Sequence, residues 1–273
     1  MHTTRQKRDT FRQLHDSGCF VIPNPWDIGS ARYLQGLGFK ALATTSAGFA
    51  WTRGRADNAI PLEEALDHFA EIAAGVDVPV NADFEGGFAI EPERVADHVR
   101  RAADTGVAGI SIEDSTGDPA DPLFEFGLAV ERVRAACEAV AGTGVMLVAR
   151  SEGYITGRPD LAETVRRLTA FAEAGAGCLY APGIRTAEEI GAVVRAVAPK
   201  PVNVLVGGSY LTVAEVEALG ARRISVGGAL ARAAWSGLIA AATEIATEGT
   251  FHRLSAAAPY ADVNGLFKGE TRT

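Results

Sequence analysis

Apolar residues recur along this chain in two alternating rhythms. Short unbroken runs suit buried strands, and longer stretches place their apolar positions on one helical stripe. After a helical leader ending near Ser17, the run 19–22 predicts a first strand, and Asp27 or Ser30 opens a helix to about Leu37. A second strand over 41–46 leads into small residues and a polar loop at 52–58. Pro61 then starts a helix whose stripe is Leu62, Ala65, Leu66, Phe69 and Ile72. The alternation continues with strands at 78–82, 109–113, 145–150, 177–180, 202–206 and 223–226. Helices at 91–105, 124–141, 161–174, 187–197, 213–219 and 229–247 fall between and after them. Eight strands, each followed by a helix, predict an α/β fold of the (β/α)8 TIM-barrel type. One domain over 1–273 accounts for the length, with 254–273 added as a C-terminal helical packing segment.

In such a barrel the functional groups stand at the C-terminal ends of the strands. The third strand runs into Asp83, Phe84 and Glu85 before paired glycines, the fourth ends in Glu113-Asp114, and the fifth ends in Arg150 with Glu152 close behind. Hard oxygen ligands suit Mg²⁺, and a guanidinium fork suits a carboxylate, so this grouping points to a divalent metal and an anionic substrate. A surface salt-bridge cluster is the plainer alternative, but these charges follow runs that should be buried, where unpaired charge is costly. The remaining strands deliver Asn24 and Asp27, Thr45 and Ser46, Tyr180, Asn203, and Gly227-Gly228. Gly207-Gly208 and Gly227-Gly228 fit either a phosphate cradle or tight turns. None of the five histidines stands at a strand end, which leaves a histidine triad or a zinc site with little support.

Composition removes several function classes. A formal net charge of −8 with no basic stripe argues against nucleic acid. No apolar run is long enough to cross a membrane, and no signal-peptide core follows the polar N-terminus, so a cytoplasmic location is expected. Cys19, Cys137 and Cys178 lack metal-ligand spacing and read as small apolar fillers. Leu254, Tyr260, Leu266 and Phe267 make the tail too apolar to lie free in water, which predicts a homo-oligomer, a tetramer or a dimer.

Taken together, several motifs resemble the isocitrate lyase and phosphoenolpyruvate mutase superfamily. They are Asn24-Pro25-Trp26-Asp27-Ile28-Gly29-Ser30, Thr44-Thr45-Ser46-Ala47-Gly48, Asn81-Ala82-Asp83 with its glycines, Ile112-Glu113-Asp114, Ala149-Arg150-Ser151-Glu152 and Arg223-Ile224-Ser225-Val226-Gly227. The resemblance implies Mg²⁺, with Mn²⁺ as a substitute, and a small 2-oxo or dicarboxylic acid held by backbone N–H groups of the second-strand loop. By position Asp83 and Glu113 match metal-site acids, Thr45 and Ser46 the substrate loop, Asp57 a loop acid near the metal, and Arg150 the arginine. Joined to the strand-end reading, this gives a metal set of Asp83, Glu85, Glu113 and Asp114. It gives substrate contacts at Thr45, Ser46, Ala47, Arg150 and Asn203, and catalytic roles for Arg150, Glu113 and Asp57. Two departures stand out: Asn81 replaces the first acid of a D-x-D pair, and Ser115-Thr116-Gly117-Asp118-Pro119-Ala120-Asp121-Pro122 replaces a loop that carries a cysteine acid in family lyases. The expected activity is C–C bond cleavage through an enolate-like intermediate. Hydrolysis or decarboxylation of an oxaloacetate- or phosphonopyruvate-type acid is the alternative, as is a non-catalytic 2-oxo acid binder.

Overall fold

Parallel strands buried on both faces need helices to cover them, and the alternation in the sequence supplies one after each strand. The computed structural model describes residues 2–268, so 269–273 of the expected packing segment lie outside the described residues. The elements run α1 (Thr4–Leu14), β1 (Phe20–Ile22), α2 (Ile28–Gly36), β2 (Leu42–Ala43), α3 (Ser46–Thr52), α4 (Leu62–Gly75), β3 (Val80–Asp83), α5 (Pro92–Asp104) and β4 (Gly109–Glu113). They continue with α6 (Phe126–Ala139), β5 (Met146–Arg150), α7 (Leu161–Glu173), β6 (Cys178–Tyr180), α8 (Ala187–Val197), β7 (Val202–Leu205), α9 (Val213–Ala218), β8 (Arg223–Ser225) and α10 (Ala229–Glu248). Helix starts are marked as the sequence suggests: Thr3, Asp27, Thr186 and Thr212 each close a capping box.

All strands are parallel, in the order β1-β8-β7-β6-β5-β4-β3-β2. The gap between β1 and β2 is bridged where Ala43 N–H donates to Pro23 O at 3.1 Å, so the sheet curls into the expected (β/α)8 barrel. Its register aligns one row of polar residues across five strands. Glu113 lies beside Arg150, Arg150 beside Tyr180, Tyr180 beside Asn203, and Asn203 beside Arg223. Side chains at matched positions of neighbouring strands face the same way, so this row lines the interior from mouth to floor.

Helix α1 seals the other end. Phe11 is fully buried against Ile22, Ala41, Ala43 and Ala108, and its ring meets His15 edge-on at 4.7 Å. Gly109 admits it: a Cβ there would lie 2.6 Å from the Phe11 ring and 2.5 Å from Asn81 Oδ1. One expectation changes, and the helical tail is found as expected. Part of the stretch after the second strand is helical, because Thr45 Oγ1 accepts from Gly48 N–H and caps α3. The tail holds a 3₁₀ turn (His252–Ala256) and α11 (Tyr260–Gly265), fixed where the Glu244 carboxylate accepts from Thr250, His252 and Arg253. Among the described residues no helix is long and apolar enough to cross a membrane.

Candidate active site

The end of β5 builds the site. Arg150 Nη1 donates to Asp83 Oδ1 at 2.6 Å, Nη2 lies 3.2 Å from Glu113 Oε2, and Nε donates to Glu152 Oε1 at 2.9 Å. Its guanidinium also stands 5.1 Å from the centre of the Tyr180 ring. Burial alone would lower its pKa, but Glu152, Glu113 and Asp83 more than reverse this and keep it cationic.

One arginine does not balance these acids. Burial pushes Glu113 well above the ordinary carboxylate range and raises Glu152, against the opposing charge of Arg150. Glu85 is pushed up to about 8 by burial and then by the charges of Asp83 and Asp57. Burial also raises Asp57, although the Ser46 side chain hydrogen-bonds to it. Glu85 (φ 47°) and Phe88 (φ 57°) hold left-handed backbone, a strained arrangement the surroundings must enforce. Arg132 enforces it: this buried guanidinium packs 3.9 Å over the Phe124 ring and donates to the carbonyls of Gly86, Ala89 and Ile90.

A cavity of about 160 Å³ opens in the barrel mouth, and Ser46, Ala47, Asp57, Asp83 and Arg150 stand together on its wall. A larger cleft of about 880 Å³ lies at the α1 end. There Arg8 binds the carbonyls of Val107, Ala103 and Thr143, and Arg12 binds Asp9 and Gly144 O. Within the mouth, Ser46 N–H donates to Asp83 Oδ2 at 3.0 Å, and Asp83 N–H to Thr44 Oγ1 at 2.9 Å, which ties the second-strand loop to the acids.

Two sequence expectations need correction. Asp114 does not join the metal set: strand alternation turns it outward, where Oδ2 accepts from Arg167 Nη1 at 3.1 Å and Oδ1 from Glu152 N–H at 2.8 Å. Asn203 does not meet a substrate, since it is fully buried with Nδ2 on Ser225 Oγ at 2.9 Å and Oδ1 on Arg223 Nε at 2.8 Å. Of the two readings open for Gly227-Gly228, the tight turn fits, because Gly227 N–H and Val226 N–H both donate to Asn24 Oδ1 at 2.9 Å. Sequence reasoning also overlooked Arg223, a 2% exposed residue that lines the cavity. The signal was available: with Ile224 packed outward in the core, its neighbours Arg223 and Ser225 must face the barrel interior.

Among the described residues no three acidic, histidine or cysteine side chains converge on one preformed metal position, since Arg150 stands among the acids. The donor set still fits Mg²⁺. Asp83, Glu85, Glu113 and Asp57 offer hard oxygens, burial raises the proton affinity of Glu85, Glu113 and Asp57, and Mg²⁺ needs only one or two carboxylates while keeping several waters.

The comparisons with known proteins agree with this geometry. Residues 11–246 match the phosphoenolpyruvate phosphomutase family. A lyase/mutase-type protein of Burkholderia cenocepacia J2315, known from its crystal structure, is 48% identical over 97% of each chain with a TM-score of 0.93. Oxaloacetate decarboxylase of Paraburkholderia xenovorans LB400 is 29% identical, covering 81% of this chain and 75% of that protein. Phosphonopyruvate hydrolase, solved with oxalate and Mg²⁺, is 25% identical over 97% of this chain and 95% of that one, with a TM-score of 0.83. Barrel, acid-lined mouth and match across most of the chain lead to one assignment: this protein belongs to the phosphoenolpyruvate phosphomutase family, within the isocitrate lyase/PEP mutase superfamily.

Proposed function

We propose that this protein is a Mg²⁺-dependent lyase that cleaves the C–C bond β to the oxo group of a small 2-oxo acid. The observation that carries this reading is the wall of Asp83, Glu113, Glu85 and Asp57 at the barrel mouth, whose negative charge exceeds what Arg150 neutralises. Mg²⁺ taken up by one or two of these carboxylates would supply Lewis acidity to a bound 2-oxo acid. Ala47, in the first turn of α3 on the cavity wall, offers its backbone N–H to the substrate carboxylate, while the Ser46 N–H stays on Asp83 and holds the loop in place. Arg150, anchored by Glu152, orients Asp83 and Glu113 and balances charge that develops in the cavity. Tyr180 is pushed up to about 12, by burial first, and so keeps its proton. It accepts weakly from Ser225 Oγ at 3.5 Å, which leaves its own O–H to donate.

The cavity volume suits a small acid, being well below the roughly 300–1,000 Å³ of sites for larger ligands. Decarboxylation or hydrolysis of an oxaloacetate- or phosphonopyruvate-type acid would use the same wall, and the names of two relatives favour it as a second reading. The test is Mg²⁺-dependent exchange of the methyl protons of pyruvate in deuterated water. Exchange that disappears in Asp83→Ala supports an enolising enzyme. A wild-type protein that binds Mg²⁺ and pyruvate without exchange would be a binder, and the lyase reading would fall.

A further inference from the structure

Among the described residues, four arginines hold their guanidinium groups inside this barrel, and three of them make at least two hydrogen bonds or ion pairs each, although Arg132 Nε is buried without a partner. Arg150 meets three carboxylates, Arg167 pairs with Asp114 and Glu163, and Arg132 holds three backbone carbonyls. Arg223 differs. It is 2% exposed, its Nε donates to Asn203 Oδ1, and its Nη1 is buried with no hydrogen-bond partner among the described residues. No carboxylate pairs with it among those residues.

The nearby ionisable groups do not supply the missing charge. His15 feels the Arg223 charge, but burial first and that charge second push its pKa down to about 3, so the ring is neutral. Cys178 also feels it, yet burial raises the thiol above its ordinary value and leaves it protonated. A lone buried cation is unfavourable, and its persistence in a ligand cavity calls for an anion.

The surrounding hydroxyls fit that need. Ser111 Oγ accepts from Asn81 Nδ2 at 2.8 Å and is left to donate its own proton, as is Tyr180 above it. Ser111, Tyr180, Ser225 and Arg223 all line the mouth cavity, with Arg223 at the N-terminal end of its strand and Asp83 at the C-terminal end of β3. The cavity is thus polarised, with acids at the rim and donors on the floor.

We propose that Arg223 forms the floor of a second anion subsite that takes a single carboxylate group, separate from the acid-lined rim. This deepens the proposed function, resting on the 2-oxo acid reading and assigning Arg223 to the distal carboxylate of a dicarboxylic substrate. A guanidinium stabilises the charged carboxylate and so opposes its loss as CO₂, which makes the floor a place for a carboxylate that the product retains.

The experiment is thermal unfolding of the full chain without metal, in formate, lactate or malate, for wild type, Arg223→Met and Arg223→Lys. Malate should protect the wild type more than lactate or formate, which identifies the distal carboxylate of a diacid as the occupant. Equal protection by formate would instead identify a free anion at the same subsite. Either protection should weaken at least about tenfold in apparent affinity in Arg223→Met, as expected for losing a charge-assisted hydrogen bond, and less in Arg223→Lys. Arg223→Met should still fold, because it removes an unpaired charge as it leaves Asn203 Oδ1 unsatisfied. Should it fail to fold, weakened protection in Arg223→Lys carries the test. The proposal is overturned if no carboxylate protects the wild type, or if protection survives undiminished in the folded variants. Mg²⁺-dependent oxalate binding, measured in parallel by calorimetry, separates the outcomes: its loss would sink the 2-oxo acid reading, whereas its presence without floor protection would sink only the Arg223 subsite.

Discussion

At the scale of single residues the site is a problem of unbalanced charge. Arg150 holds Asp83, Glu113 and Glu152 together, so Arg150→Met should leave three largely buried acids facing one another. Breaking a buried pair in this way costs about 3–5 kcal/mol. Urea unfolding at neutral pH should show such a loss, and it should shrink in acid, where the raised carboxylates take up protons, or on adding Mg²⁺. An equal loss at every pH would mean that packing, and not charge, is the role of Arg150. Glu85 gives the opposite sign. Its folded pKa of about 8 exceeds the ordinary 4.5, so below both values it contributes nothing. As pH rises between them the unfolded chain ionises first, and the native state is progressively penalised. Glu85→Gln should therefore stabilise the metal-free protein, with a gain that grows from about pH 5 to about pH 8. The same proton must leave when the carboxylate binds a cation, so Mg²⁺ affinity should rise with pH over that window in the wild type and lose this dependence in the variant.

At the scale of elements, the question is which loops are rigid enough to hold these groups. The turn after β3 is clamped from α6 by Arg132, and Arg132→Met would leave the carbonyls of Gly86, Ala89 and Ile90 without their donor. Unsatisfied buried carbonyls cost about 1–3 kcal/mol each, so this variant should lose stability on that scale and weaken Mg²⁺ binding through the loosened Glu85. The loop after β4 is different. Ser115 bridges Leu123, Thr116 N–H reaches Pro122 O at 3.1 Å, and Asp118 Oδ1 only closes a local turn with Ala120 N–H. Neither Asp118 nor Asp121 lines the mouth cavity. Asp118→Asn and Asp121→Asn should therefore leave turnover nearly unchanged. A large fall in kcat from either would move the proton donor into this loop.

At the scale of the whole molecule, the barrel does not use all its apolar surface. Leu238 (56% exposed), Ile239 (58%) and Phe251 (63%) stand open along α10 and the turn after it, and Tyr260 (83%) extends the strip into α11. We propose that another copy of the chain covers these exposed apolar residues. Light scattering should give a dimer or tetramer at micromolar concentration, and Leu238→Glu should shift it toward smaller species. A wild-type monomer would remove the idea.

The sequence by itself determined the order of elements and the places where chemistry is carried. Unbroken apolar runs, period-3.6 stripes, capping residues and glycine turns act over a few residues, so the eight β-α units and the acids at their ends could be read directly. It also determined which residues stand near one another along the chain, such as Asp83 with Glu85 and Arg150 with Glu152. What it could not determine was which neighbour each charge would meet. Glu113 and Asp114 are adjacent in sequence, and only the pleat of β4 and the packing of α7 sent one to Arg150 and the other to Arg167. The stagger of neighbouring strands likewise decided that Arg223, first in its strand, shares a row with Glu113, last in its own. Register and barrel closure are set by contacts between residues far apart in the chain, and a local pattern carries no record of them.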